Sequence, residues 1–187
     1  MYDISDIRKN LKLLIDGQPF TVIEFQFVKP GKGQAFTRTK LRNMITGSVI
    51  ERTFKVNERL DKADITNVTM QFLYPEGDRY VFMDTQTYEQ TYLSADQLGD
   101  SRFYLVDNMN VDVLLWNEKP IGVTPPTFVE LSVVETEPGY KGDTSTNTLK
   151  AAKMNTGVTV MVPLFVNEGD LLKVDTRTGE YVERVKK

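Results

Sequence analysis

One lysine stands apart in this chain. In Lys29-Pro30-Gly31-Lys32-Gly33-Gln34, proline fixes φ and the glycines on either side of Lys32 permit positive φ, so the chain is expected to reverse there. The glycines also leave Lys32 without bulky neighbours. Such a tip can enter a narrow place and deliver a single ammonium group, a donor to phosphate or hydroxyl oxygen. Behind the tip, Arg38, Lys40 and Arg42 alternate with Thr37, Thr39 and Leu41. A period of two puts the three cations on one face of a strand, in a stripe suited to a polyphosphate backbone. The plain alternatives are an ordinary solvated lysine and a solvated outer face.

Other chemistries are missing. The 187 residues contain no cysteine and no histidine. Ser-His-Asp and Cys-His catalysis are therefore unavailable, as are the usual zinc sites. A phosphate loop of the GxxxxGK[ST] kind is also absent: Gln26 stands where its first glycine should be, and Gly33 follows the lysine. A carboxylate pair or a Schiff-base lysine remains conceivable, but no spacing singles one out. These gaps favour a binding factor over an enzyme, with no cofactor and no metal. The first residues, Met1-Tyr2-Asp3-Ile4-Ser5-Asp6, lack the form of a signal peptide, and no apolar run approaches the ~18 residues of a membrane span. The expectation is a cytoplasmic protein with no membrane partner.

The net charge of −3 is unevenly spread. Residues 1–62 hold twelve Lys/Arg against seven Asp/Glu, residues 63–126 three against ten, and residues 127–187 eight against nine. A general electrostatic nucleic-acid binder would be basic throughout. Here only the first third is basic, which points to an oriented partner: polyanion at one end, and an acidic middle that avoids it or meets something basic.

The elements that must position Lys32 read as strands. Before the tip, Pro19 to Phe27 is rich in β-branched and aromatic residues. Leu11–Ile15 and the Asp16-Gly17 turn precede it; Thr46-Gly47 and Val49–Phe54 follow the basic stripe. About five strands in some 60 residues suit an SH3-like barrel. Charged, unpatterned residues 57–64 place a boundary after 63. Residues 64–126 give strands near Thr66–Tyr74, Arg79–Asp84, Glu89–Leu93, Val111–Trp116 and Ile121–Val123, with a short helix over Ala95–Phe103 capped by Ser94 and weakened by Gly99. This suits an OB-fold. Pro125-Pro126 marks the next boundary, and 127–187 reads as a second barrel of OB size, with strands at Phe128–Glu135, Val158–Val162, Leu171–Val174 and Tyr181–Val185. Tyr80, Phe82, Tyr88 and Tyr92 could be base-stacking platforms, but in so acidic a segment core or rim positions are favoured. Trp116, in an apolar strand, is expected in the core.

The segment Lys29 to Phe36, with its sequel Lys40-Leu41-Arg42-Asn43, closely resembles the tip of the bacterial elongation factor P family. Lys150-Ala151-Ala152 through Gly157, Val160, Val162-Pro163, Val166 and Gly169 resembles that family's C-terminal signature, and Gly142-Asp143-Thr144 its loop motif. The resemblance spans the whole chain. It implies an all-β fold of three small barrels, an SH3-like (KOW-type) one followed by two OB-folds, in an L-shaped, tRNA-like outline. It also implies a monomeric factor that binds the 70S ribosome between the P and E sites and rescues ribosomes stalled at consecutive prolines. Lys32, at the tip, would point at the peptidyl-transferase centre and carry a covalent extension added by a modifying enzyme. Lys29, Arg38, Lys40 and Arg42 would grip P-site peptidyl-tRNA or ribosomal RNA, and Gly142-Asp143-Thr144 would approach the E-site codon. The competing reading is a generic OB-fold protein for single-stranded nucleic acid, which the acidic OB segments disfavour.

Overall fold

The computed structural model describes residues 1–139 and 148–186. Strands are the dominant element of the described chain, arranged in three sheets of five antiparallel strands. The first comprises β1 (Lys12–Ile15), β2 (Gln18–Val28), β3 (Phe36–Asn43), β4 (Val49–Lys55) and β5 (Asp61–Lys62), in the order β4-β3-β2-β1-β5. The second comprises β6 (Thr66–Glu76), β7 (Arg79–Asp84), β8 (Gln90–Ser94), β9 (Asn110–Trp116) and β10 (Lys119–Thr124), ordered β10-β9-β6-β7-β8. The third comprises β11 (Phe128–Thr136), β12 (Leu149–Met154), β13 (Thr159–Pro163), β14 (Leu171–Asp175) and β15 (Glu180–Arg184), ordered β13-β12-β11-β14-β15. In the second sheet the outer strands β10 and β8 meet, and in the third β13 and β15 do, so each curls towards a barrel.

Alternation sets each core. Leu13 and Ile15 of β1, Phe20 and Val22 of β2, Leu41 of β3 and Phe54 of β4 fill the first barrel. Phe72, Phe82, Leu93, Val111 and Val113 fill the second. Val129, Leu131, Met154, Val162, Leu172 and Val174 fill the third. The extra residue at Ile23, where the β2–β3 register shifts, is a bulge. It strengthens the local twist at the base of the hairpin arm.

Three expectations need correction. The helix proposed over Ala95–Phe103 is one turn, α1 (Ala95–Leu98), followed by a 3-10 segment from Gly99 to Tyr104. Ser94 caps α1 in a reciprocal box with Gln97, as its sequence suggests. Gly99, at φ 57° and ψ −137°, ends it in a conformation essentially reserved for glycine. The second correction concerns residues 57–64, which contain β5, paired to β1 through Leu13↔Lys62 and Leu14↔Asp61. Third, Trp116 is half-buried rather than inside a barrel. It packs with Ile65 on a small cluster of Met44, Leu114 and Ile121, which joins the first barrel to the second.

Candidate nucleic-acid interface

The tip is carried by a long two-stranded arm. β2 and β3 pair from Phe20↔Asn43 out to Val28↔Phe36, and residues 29–35 close the hairpin. From Val22, buried in the core, to Val28 the arm runs six residues, about 20 Å at 3.3 Å per residue. Lys29, Gly31, Lys32, Gly33 and Gln34 are exposed and Pro30 is half-buried. Gly33 adopts φ 100°, and no heavy atom outside the chain neighbours lies within 4 Å of where a Cβ on Gly31 or Gly33 would stand. Among the described residues Lys32 makes no ion pair and no hydrogen bond. Its ammonium is held out alone.

The three cations of the stripe share a face but not a setting. Directly opposed residues in the ladder lie on the same side, so the outer rows read Gln26–Arg38–Thr53, Glu24–Lys40–Glu51 and Thr21–Arg42–Val49. Arg38 is exposed, with its guanidinium 5.5 Å from the Phe36 ring centroid. Lys40 is flanked by two carboxylates and pairs with Glu24 at 3.9 Å. The first two rows line a shallow groove of about 560 Å³. Arg42 is half-buried, and its guanidinium rests on Gly99 of the second barrel: a Cβ at Gly99 would fall 1.5 Å from its Nη1. The stripe therefore splits into an open cation, an ion-paired one and one engaged within the molecule.

The other face of the arm holds what the sequence pattern left unassigned. Phe25 and Phe27, opposite Thr39 and Thr37, are 42% and 54% exposed. Their alternation is visible in the sequence, but whether that face is covered depends on how far the arm projects past the barrel. Thr39 Oγ1 donates to the Arg52 carbonyl at 2.6 Å, whereas Thr37 Oγ1 is buried without a partner.

Elsewhere, the four aromatics proposed as a stacking platform are not brought together. Phe82 is fully buried beside Phe72, and Tyr80 is half-buried against the same ring. Tyr88 is exposed in a turn, and Tyr92 lies under Arg79 at 4.4 Å. Gly142, Asp143 and Thr144 lie outside the described residues. The strands on either side are tied together by Thr136 Oγ1, which donates to the Ala151 carbonyl at 2.9 Å, and by Lys150 Nζ, which donates to the Glu137 carbonyl. Among the described residues no cluster of three or more Asp, Glu, His or Cys could hold a metal ion. None of their helices is long and apolar enough to cross a membrane.

Sequence models match in three consecutive stretches. Residues 3–60 match the elongation factor P KOW-like domain, 65–123 the elongation factor P OB domain, and 129–184 the elongation factor P C-terminal domain. The chain belongs to the elongation factor P family. Full-length relatives agree. An elongation factor P of Syntrophus aciditrophicus is 51% identical over 186 residues, covering 100% of both chains. One of Moorella thermoacetica is 53% identical over 184 residues, covering 98% of this chain and 100% of its own. A solved structure titled eukaryotic translation initiation factor 5A, from Methanococcus jannaschii, matches 66% of this chain and 91% of its own, at 22% identity and a TM-score of 0.47. The family makes this chain a translation elongation factor that works with the ribosome, built from a KOW-like and OB-type barrels.

Proposed function

We propose that this elongation factor binds the ribosome between the P and E sites and speeds peptide-bond formation at consecutive prolines. The observation that carries the proposal is Lys32: one unpaired ammonium, between two glycines, at the end of an arm projecting from a barrel. Proline is a restricted substrate. A factor that holds the tRNA's CCA end and its peptide in a near-attack geometry lowers the entropic part of the barrier without breaking any bond itself. A cation among phosphates and 2′-hydroxyls supplies that hold. A covalent extension of Lys32, added by a dedicated enzyme, would lengthen the reach by ~1.5 Å for each single bond. Lys29 and Arg38 are the residues proposed to meet RNA phosphate, with Lys40 in support; the exposure of Lys29 and Arg38 supports this. Gly142-Asp143-Thr144 is the segment proposed to approach the E-site codon. The working unit is a monomer in the cytoplasm, divided at 63/64 and 126/127 into one SH3-like and two OB-type barrels.

The test is a reconstituted translation reaction on a template encoding three consecutive prolines, read by toeprinting. Protein purified from its native cells is compared with Lys32→Ala. The wild type is expected to relieve the stall, while the variant fails to relieve it yet still binds ribosomes. Equal rescue by both would overturn the role of Lys32. Failure of a fully modified wild type, verified by the intact mass of the Lys32 peptide, would overturn the function.

A further inference from the structure

The first and second barrels meet at a close-fitting joint. Its first-barrel side is β3 and the turn after it. The Met44 side chain is 4% exposed and packs with Leu114 and Ile121, and its carbonyl accepts a hydrogen bond from Gln97 Nε2 at 3.3 Å. Gly47, at φ 82°, lies so close to α1 that a Cβ there would stand 2.5 Å from the Asp96 Cβ and 2.6 Å from its backbone carbonyl carbon. Gly99 leaves a matching recess on the other side. The Arg42 Nη1, Cζ and Nη2 atoms lie 1.5, 2.3 and 2.8 Å from the Cβ position that glycine leaves empty. The guanidinium thus fills the space of the missing side chain. It has no ion pair or hydrogen bond among the described residues, so its work at the joint is done by contact.

We infer that Arg42 is a positioning residue, which by filling the recess over Gly99 fixes the direction in which the Lys32 arm leaves the second barrel. Arg42 and Lys32 lie on one hairpin, so any rocking at the joint is transmitted along the arm and magnified at its end. An ångström-scale misplacement of a positioning group costs on the order of 10²-fold in rate. This role takes Arg42 out of the stripe that meets RNA. It rests on the proposed function only where activity is the readout.

The test uses the full-length protein and its lack of native cysteine. Spin labels at Asn57→Cys and Thr85→Cys, both exposed turn positions in the first and second barrels, report the distance between the barrels. Four backgrounds are compared: wild type, Arg42→Ala, Arg42→Met and Gly99→Ala. Arg42→Ala is expected to broaden the distance distribution and lower proline rescue at least about tenfold. Arg42→Met, uncharged but able to fill the recess, restores both in part. Gly99→Ala, which removes no cation, is expected to reproduce the defect, both by expelling the guanidinium and by straining a backbone held at φ 57°. The salt dependence of ribosome binding stays unchanged in all three variants. A distribution as narrow in Arg42→Ala as in wild type overturns the inference. So does a methionine variant no better than alanine, or a salt slope reduced by about one, which would mark a direct phosphate contact. Should the wild type itself fail to rescue proline stalls, the proposed function falls, and the distance and salt readings still decide the joint.

Discussion

Lys12 shares the outer row of Thr21 and Arg42, and it has the most displaced proton affinity among the described lysines. Its Nζ donates to the Asn10 carbonyl at 2.8 Å and to Thr21 Oγ1 at 3.1 Å, with no carboxylate partner among the described residues. Burial lowers its pKa to about 8. The unfolded lysine gains its proton near pH 10.5 and the folded one only near pH 8, so stability falls between those values as pH is lowered and stays reduced below them. Lys12→Met should therefore raise stability at pH 7 by about 1 kcal/mol, after the lost hydrogen bonds are counted. Urea melts at pH 7 and pH 10 check this; a gain that did not shrink at the higher pH would refute it. The stripe supplies a second prediction. Because Glu24 and Glu51 already offset Lys40, Arg38→Glu should weaken ribosome binding more than Lys40→Glu, and the gap should narrow as salt rises. A binding titration at several salt concentrations decides it. The exposure of Lys32 and Arg38 was legible in the sequence because glycines and a period of two are local signals. Arg42 was not, since its cover, Gly99, belongs to another barrel.

At the level of elements, turns and alternation carried most of the information. Asp16-Gly17 and the Pro/Gly tip each sit between paired strands, and the strand spans expected from β-branched alternation match β2, β3, β7, β9 and β14 closely. β12 escaped notice because Leu149-Lys150-Ala151-Ala152-Lys153-Met154 is built of helix formers. Pairing on both sides, to β11 and β13, overrides that preference. The two-residue β5 is too short to show a pattern, and only its pairing to β1 defines it. The helix was placed correctly at its start, where the Ser94–Gln97 box is a local code, and extended too far past Gly99. That box gives a test. Ser94→Ala should cost about 1 kcal/mol in a thermal or chemical melt. Because α1 receives Gly47 and donates through Gln97, the loss should be accompanied by faster amide exchange around Met44. Unchanged exchange there would separate the cap from the joint.

Over the whole molecule, three cores are linked by two different kinds of contact. The first and second barrels meet through Met44, Arg42 and α1. The second and third are pinned by Tyr104, which comes from the 3-10 segment of the second yet is 8% exposed within the core of the third. Burial and the nearby Asp100 and Asp175 carboxylates raise the pKa of its hydroxyl. Tyr104→Ala should cost about 3 kcal/mol and separate the melting of the third barrel from that of the others. A single unsplit calorimetric transition would contradict this coupling. No local pattern in the sequence announces such a link, because an aromatic in a short helical stretch reads the same whichever core receives it. Each sheet, however, is made from one unbroken stretch of chain: strands from 12 to 62, from 66 to 124 and from 128 to 184. No strand must wait for a partner from a later barrel. As the nascent polypeptide leaves the exit tunnel, each core can close as soon as its own last strand is out. Tyr104, by contrast, stays undocked until β14 has been synthesised. The order of translation is thus also the order of folding, for a protein whose task lies in translation itself.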